Sequence, residues 1–93
     1  MDHPIVGKAK LICDGRDRGE AIYRIEPAYN MQGMRYGVGT LVGDPASLYA
    51  ALLAKNVTLE RQSGRPSFGI TVTDASMDSR QAAFMTPGTV FDL

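Results

Sequence analysis

Little in this chain is suited to covalent chemistry. It has one cysteine, Cys13, and one histidine, His3. A lone thiol cannot make an internal disulfide or a Cys-x-x-Cys metal clip, and such usage fits a reducing compartment. His3 has no acidic partner placed by a motif, and Ser63, Ser76 and Ser79 have no nucleophile elbow around them. Asp and Glu occur singly, without the spacing of paired carboxylates or metal ligands. The sequence predicts no catalytic residue, no metal site and no cofactor.

An excess of one charge is also missing. Ten Lys+Arg balance ten Asp+Glu, a formal net charge of +0 with His neutral. Nucleic-acid and anionic-membrane binders usually carry a basic excess that displaces counterions, so only a local patch could serve them here. Zero net charge also leaves nothing to hold copies of the chain apart.

Long apolar runs are absent as well. No stretch approaches the roughly 18 residues of a membrane span. The first residues, MDHPIVGKAK, carry an acid and a proline where a signal peptide has a basic region and an apolar run. These features predict a soluble, cytoplasmic protein with no membrane partner.

What is present is ordinary globular material: 93 residues, 44% hydrophobic and 22% charged. That is one domain over 1–93, able to bury about two-thirds of its unfolded surface. Residues 5 to 13, IVGKAKLIC, alternate, with Ile5, Ala9, Leu11 and Cys13 on one face and Val6, Lys8, Lys10 and Ile12 on the other. DGRDRG, 14 to 19, has turn composition. EAIYRIE, 20 to 26, alternates again, with Ala21, Tyr23 and Ile25 inward, and Pro27 closes the strand because it lacks an N–H. A turn at 29 to 33 leads to MRYGVGTLV, which puts Met34, Tyr36, Val38 and Val42 on one face and Gly37 and Gly39 on the other.

The period then changes. Asp44 caps a helix and Pro45 starts it; Leu48, Ala51, Leu52 and Lys55 recur at helical spacing, Tyr49 and Leu53 broaden the apolar stripe, and Asn56 suits a left-handed end. Strands resume at 57 to 61 and at 67 to 74, with Phe68, Ile70 and Val72 inward. A weak strand follows at 80 to 85, with Ala82 and Phe84 inward, then a break at Thr86-Pro87-Gly88 and an apolar tail within 87–93. The order predicts a mainly β protein: a small five- or six-stranded antiparallel barrel of OB-like order βββαββ, with one helix at about 45–55. An α+β fold with an open antiparallel sheet is the alternative.

The stretch YGVGTLVGDPASL, 36 to 48, raises a phosphate-binding reading. Its glycines follow G-x-G-x-x-x-G, one residue longer than the dinucleotide fingerprint, and Asp44 already holds the helix start with a negative charge. A bent strand delivering the chain to a capped helix accounts for it. RQSGR, 61 to 65, and DASMDS, 74 to 79, resemble the RxxxR and [DN]xSxxG signatures of PilZ-type cyclic-dinucleotide barrels, where arginines grip phosphates. Here Ser79 replaces the glycine, the spacing is compressed and only 28 residues follow Arg65. An exposed hairpin loop explains Arg61 and Arg65 equally well.

Single-stranded nucleic acid is the better-motivated ligand, because small barrels stack bases on aromatics and track phosphates with cations. Lys8, Lys10, Arg16, Arg18, Arg24 and Arg35, with Tyr29, are the candidate residues, although Asp14, Asp17, Glu20 and Glu26 are interleaved with them. The preferred expectation is a non-catalytic module that binds a protein partner or its own copy, with Val90, Phe91 and Leu93 of the tail as interface candidates. Oligonucleotide binding ranks second, and a nucleotide or other phosphate ligand third.

Overall fold

A computed structural model describes residues 4–29, 31–33, 35–62 and 67–86, with the side chain of Arg35 excepted. Six strands and one helix follow in the order β1 (Ile5–Cys13), β2 (Arg16–Tyr29), β3 (Arg35–Val42), α1 (Pro45–Leu53), β4 (Val57–Arg61), β5 (Phe68–Asp74) and β6 (Gln81–Met85). All neighbours are antiparallel and the sheet closes in the order β1-β2-β3-β6-β5-β4. The small barrel with one helix is therefore the fold, and closure removes the open-sheet alternative. The sixth strand, weak by sequence, completes an even count, which lets every neighbour run antiparallel.

The core follows the expected alternation in most strands. Ala9, Leu11, Cys13, Ala21, Tyr23, Ile25, Leu41, Leu59, Ile70, Val72, Ala82 and Phe84 fill the interior, and Leu48 and Ala51 of α1 join them. The helix lies against β1, β5 and β6. Asp44 caps it through the Ser47 N–H (3.1 Å), with Pro45 next in line, as the sequence predicts.

Several details differ. The turn expected over 14–19 shrinks to Asp14 and Gly15, both at positive φ (50° and 83°), and Cys13 pairs directly with Arg16. A two-residue loop with both φ values positive matches the twist of the strands it joins. β2 consequently starts at Arg16, and it absorbs the extra length by a bulge. Lys10 faces Glu20 and Ile12 faces Asp17, so Leu11 spans Arg18 and Gly19. β2 also runs through Pro27 to Tyr29. Pro27 faces Gly37, whose own N–H and carbonyl turn to Thr86, so this is a position where β2 donates nothing to β3.

The face assignment of β3 is reversed. Leu41 is fully buried and Gly37 is buried with it, whereas Val38 and Val42 lie outside and Tyr36 is half-buried on that outer side. The glycines therefore point into the barrel because its bore is narrow. A Cβ on Gly39 would collide with the Arg24 carbonyl oxygen and stand 3.0 Å from the Phe84 ring. Gly7 serves the same end on β1, where the Tyr23 hydroxyl would be 2.6 Å from an added Cβ.

The helix stops at Leu53, with Ala54 extended and Asn56 outside the left-handed region. Its ending is supplied by another element. The Asp14 carboxylate accepts the N–H groups of Asn56 (2.8 Å) and Lys55 (3.3 Å), and the Asp14 N–H donates to the Asn56 carbonyl (2.8 Å). Tyr49 and Leu53 sit on the outer side of α1, with Leu53 69% exposed, so the buried stripe is narrower than expected. Arg61 is not in an exposed loop: it is 6% exposed, on the inner side opposite Ala9, with its guanidinium 5.2 Å from the centre of the Phe68 ring. Arg65, Met34 and the tail residues Val90, Phe91 and Leu93 lie outside the described residues.

Candidate functional site

The structure distributes the candidate cations over two surfaces. Lys8 and Lys10 project from the outer side of β1, and Arg24 projects from the outer side of β2 beside them. Arg16 and Arg18 lie elsewhere. Arg16 pairs with the inward-facing Cys13, and the bulge keeps Arg18 on that same side, so both reach the end of the barrel where α1 finishes. Tyr29 is 59% exposed at the far end of β2, while the backbone of Arg35 pairs with it across β3. Tyr23 is a core residue, set edge-on to Phe68 with ring centres 6.2 Å apart.

The cations on the outer sheet are matched by acids. Arg24 and Glu26 form an ion pair at 3.5 Å, both about 60% exposed at the side chain. Lys10 stands opposite Glu20, whose carboxylate accepts from the Gln62 side chain at 3.0 Å. An unbroken basic track for a phosphate backbone is therefore not what this sheet presents among the described residues.

What it does present is apolar. Val6 is 61% exposed, Ile22 44%, Met85 39%, Val38 38% and Val42 37%. The register sets them in two facing pairs, Ile22 with Val42 and Val38 with Met85, separated by the Arg24, Thr40 and Ala83 row, and Val6, opposite Arg24, is a diagonal neighbour of Ile22. Together they cross β1, β2, β3 and β6. A groove of about 290 Å³ runs beside them, lined by Arg24, Glu26, Val38, Gly39 and Thr40. No known protein family, curated protein or solved structure matches this chain. The geometry and chemistry of the barrel itself must carry the functional reading.

Alternation alone carries a signal for part of this apolar surface. Val6 and Ile22 recur on strand faces that otherwise carry Lys8, Lys10, Arg24 and Glu26. A branched apolar side chain on a charged face has no core to join. On β3 the signal was hidden, because the outer valines were assigned to the core in place of the glycines.

Burial pushes the Cys13 thiol above its ordinary pKa, an effect that the nearby Arg18 opposes and Asp14 reinforces. A thiol held neutral in this way is a poor nucleophile. Among the described residues no three His, Cys, Asp or Glu side chains gather as metal ligands, and no helix is long and apolar enough to cross a membrane.

Proposed function

We propose that this protein is a non-catalytic interaction module that associates with a second copy of itself through the outer face of β1, β2, β3 and β6. The observation that carries the reading is the set of exposed Val6, Ile22, Val38, Val42 and Met85 on one outer face, two facing pairs on either side of the row of Arg24 and Thr40 with Val6 beside Ile22. Apolar side chains scattered singly are normal on a protein surface, but two facing pairs and a fifth side chain on the same face of four adjacent strands make a contact surface. Its charged border supports a copy as the occupant. Lys8, Lys10 and Arg24 share the face with Glu20 and Glu26, so a twofold-related copy brings acids to bases and bases to acids. A strongly acidic or basic partner gains nothing from such a border.

The size of the face sets the strength. Four strands about 4.8 Å apart and about six residues long at 3.3 Å each give a flat footprint of about 400 Å². That is about half of the 800 Å² per partner found in stable complexes, so the association is weak and concentration-dependent.

Sedimentation velocity from tens of micromolar to millimolar protein tests the reading. The expected result is a reversible shift from monomer toward dimer that Ile22→Glu with Val38→Glu abolishes while the circular dichroism spectrum is kept. A monomer at every concentration overturns it. Repeating the series with residues 87 to 93 deleted separates the sheet from the tail: retention of dimer assigns the contact to the sheet, and loss assigns it to the tail. Salt-sensitive retention of a single-stranded oligonucleotide at ~50 mM salt would instead favour the oligonucleotide reading.

A further inference from the structure

The barrel end that holds Arg16 and Arg18 has a chemistry different from that of the sheet. A concavity of about 530 Å³ opens there, lined by Cys13, Asp14, Arg16, Arg18, Ala50, Leu53 and Ala54. Its volume falls within the range of small-molecule sites. The two arginines reach it because the tight Asp14-Gly15 turn pairs Cys13 with Arg16, and because the bulge sets Arg18 and Gly19 opposite the inward-facing Leu11. Neither guanidinium forms an ion pair among the described residues, where Asp14 instead spends its carboxylate on the Lys55 and Asn56 N–H groups.

The same lining also holds acceptors. The Asp14 carboxylate has lone pairs to spare beyond the two N–H groups it accepts. The end of α1 adds about half an elementary negative charge, and the diversion of the Lys55 and Asn56 N–H groups to Asp14 leaves the last helical carbonyls without their following-turn donors. No basic side chain in the last turn of α1 takes them up. Leu53 at 69% exposure, Ala50 and Ala54 add an apolar part to the lining. A simple anion would meet two guanidiniums but also Asp14 and the helix end, so most of its gain would be cancelled. A simple amine faces the reverse problem.

We propose that this concavity binds a small zwitterion, a free α-amino acid with an aliphatic side chain. Its carboxylate sits on Arg16 and Arg18, its ammonium faces Asp14 and the end of α1, and its side chain lies on Leu53 and Ala54. The mixed charge of the lining selects a ligand carrying both charges, and its apolar residues select the tail. The proposal is independent of self-association, since the outer sheet face and this barrel end share no residue.

Three probes of matched carbon skeleton test it on the full chain: L-leucine, 4-methylpentanoate and 3-methylbutylamine. Backbone amide shifts in nitrogen-15 correlation spectra are followed to about 20 mM of each. Leucine is expected to move the amides of Arg16, Arg18, Leu53 and Ala54 with saturation, at least about 10-fold tighter than either single-charge probe. In Arg16→Gln with Arg18→Gln, an otherwise unchanged spectrum should persist and leucine affinity should fall by about 10-fold or more. Absence of saturable shifts overturns the site. Equal binding of 4-methylpentanoate overturns the zwitterion, and undiminished leucine binding in the double variant overturns the role of the arginines. If that variant loses its spectrum, Arg18→Lys alone, which keeps the charge but not the forked donors, takes its place with a weaker affinity expected.

Discussion

The two three-stranded halves of the barrel contribute alike to the interior and differently to the exterior. β1, β2 and β3 have 9, 14 and 8 residues, whereas β4, β5 and β6 have 5, 7 and 5. Both halves send alternate apolar residues inward, Ile25 and Leu41 from the first, Leu59 and Ile70 from the second. Outside, β4 and β5 show Glu60, Thr71 and Thr73, a surface that asks for nothing but water. The first half, joined by the edge of β6, shows valine, isoleucine and methionine. Packing fixes the inner residues, so the interior speaks only of the fold. The outer residues are free of that demand, and their composition speaks of use.

Glycine substitutions separate the halves most sharply. Gly39→Val in the first half forces a side chain against the Arg24 backbone and the Phe84 ring, where neither can yield cheaply. A loss of about 3 kcal/mol or more is expected from urea denaturation, at the upper end of overpacking effects. The joint between the halves comes next. Asp14→Ala removes the acceptor of two N–H groups and places alanine at a φ of 50°, for a loss of about 2 kcal/mol by the same measurement. Gly69→Ala in the second half is the mildest. Its nearest obstacle is the Val57 carbonyl oxygen at 3.7 Å, and a gain of about 0.5 kcal/mol is expected from the restricted unfolded chain. A large loss at Gly69 would show that the outer surface of the second half is less open than that single contact allows.

The same contrast explains what could be read from the sequence. β1, β4 and β5 were legible because inner and outer residues differ in polarity, as with Ala9 and Leu11 against Lys8 and Lys10. The helix start was legible because Asp44-Pro45 is a local signal that needs no knowledge of the rest. β3 was not, since both its faces are apolar or glycine, and only the width of the closed bore decides which one goes in. The same closure buries Arg61 over Phe68, a placement no local pattern announces. Of the candidate cations, alternation correctly set Lys8, Lys10 and Arg24 on one outer surface. It could not foresee that a two-residue turn and a bulge would carry Arg16 and Arg18 to another.

Closure also has a consequence in time. Each three-stranded half is a meander whose pairings are local, and each can form without the other. The β1–β4 and β3–β6 seams are different, because they pair residues far apart along the chain, such as Ala9 with Arg61 and Val38 with Met85. Those contacts must await the closing of long loops, so the barrier to folding lies in zipping two seams at once. Refolding in the range of milliseconds to seconds follows, slow for a chain of this length. Until the first seam shuts, four strand edges stand open to other chains, and two remain until the second does, so a crowded refolding mixture will aggregate before a dilute one.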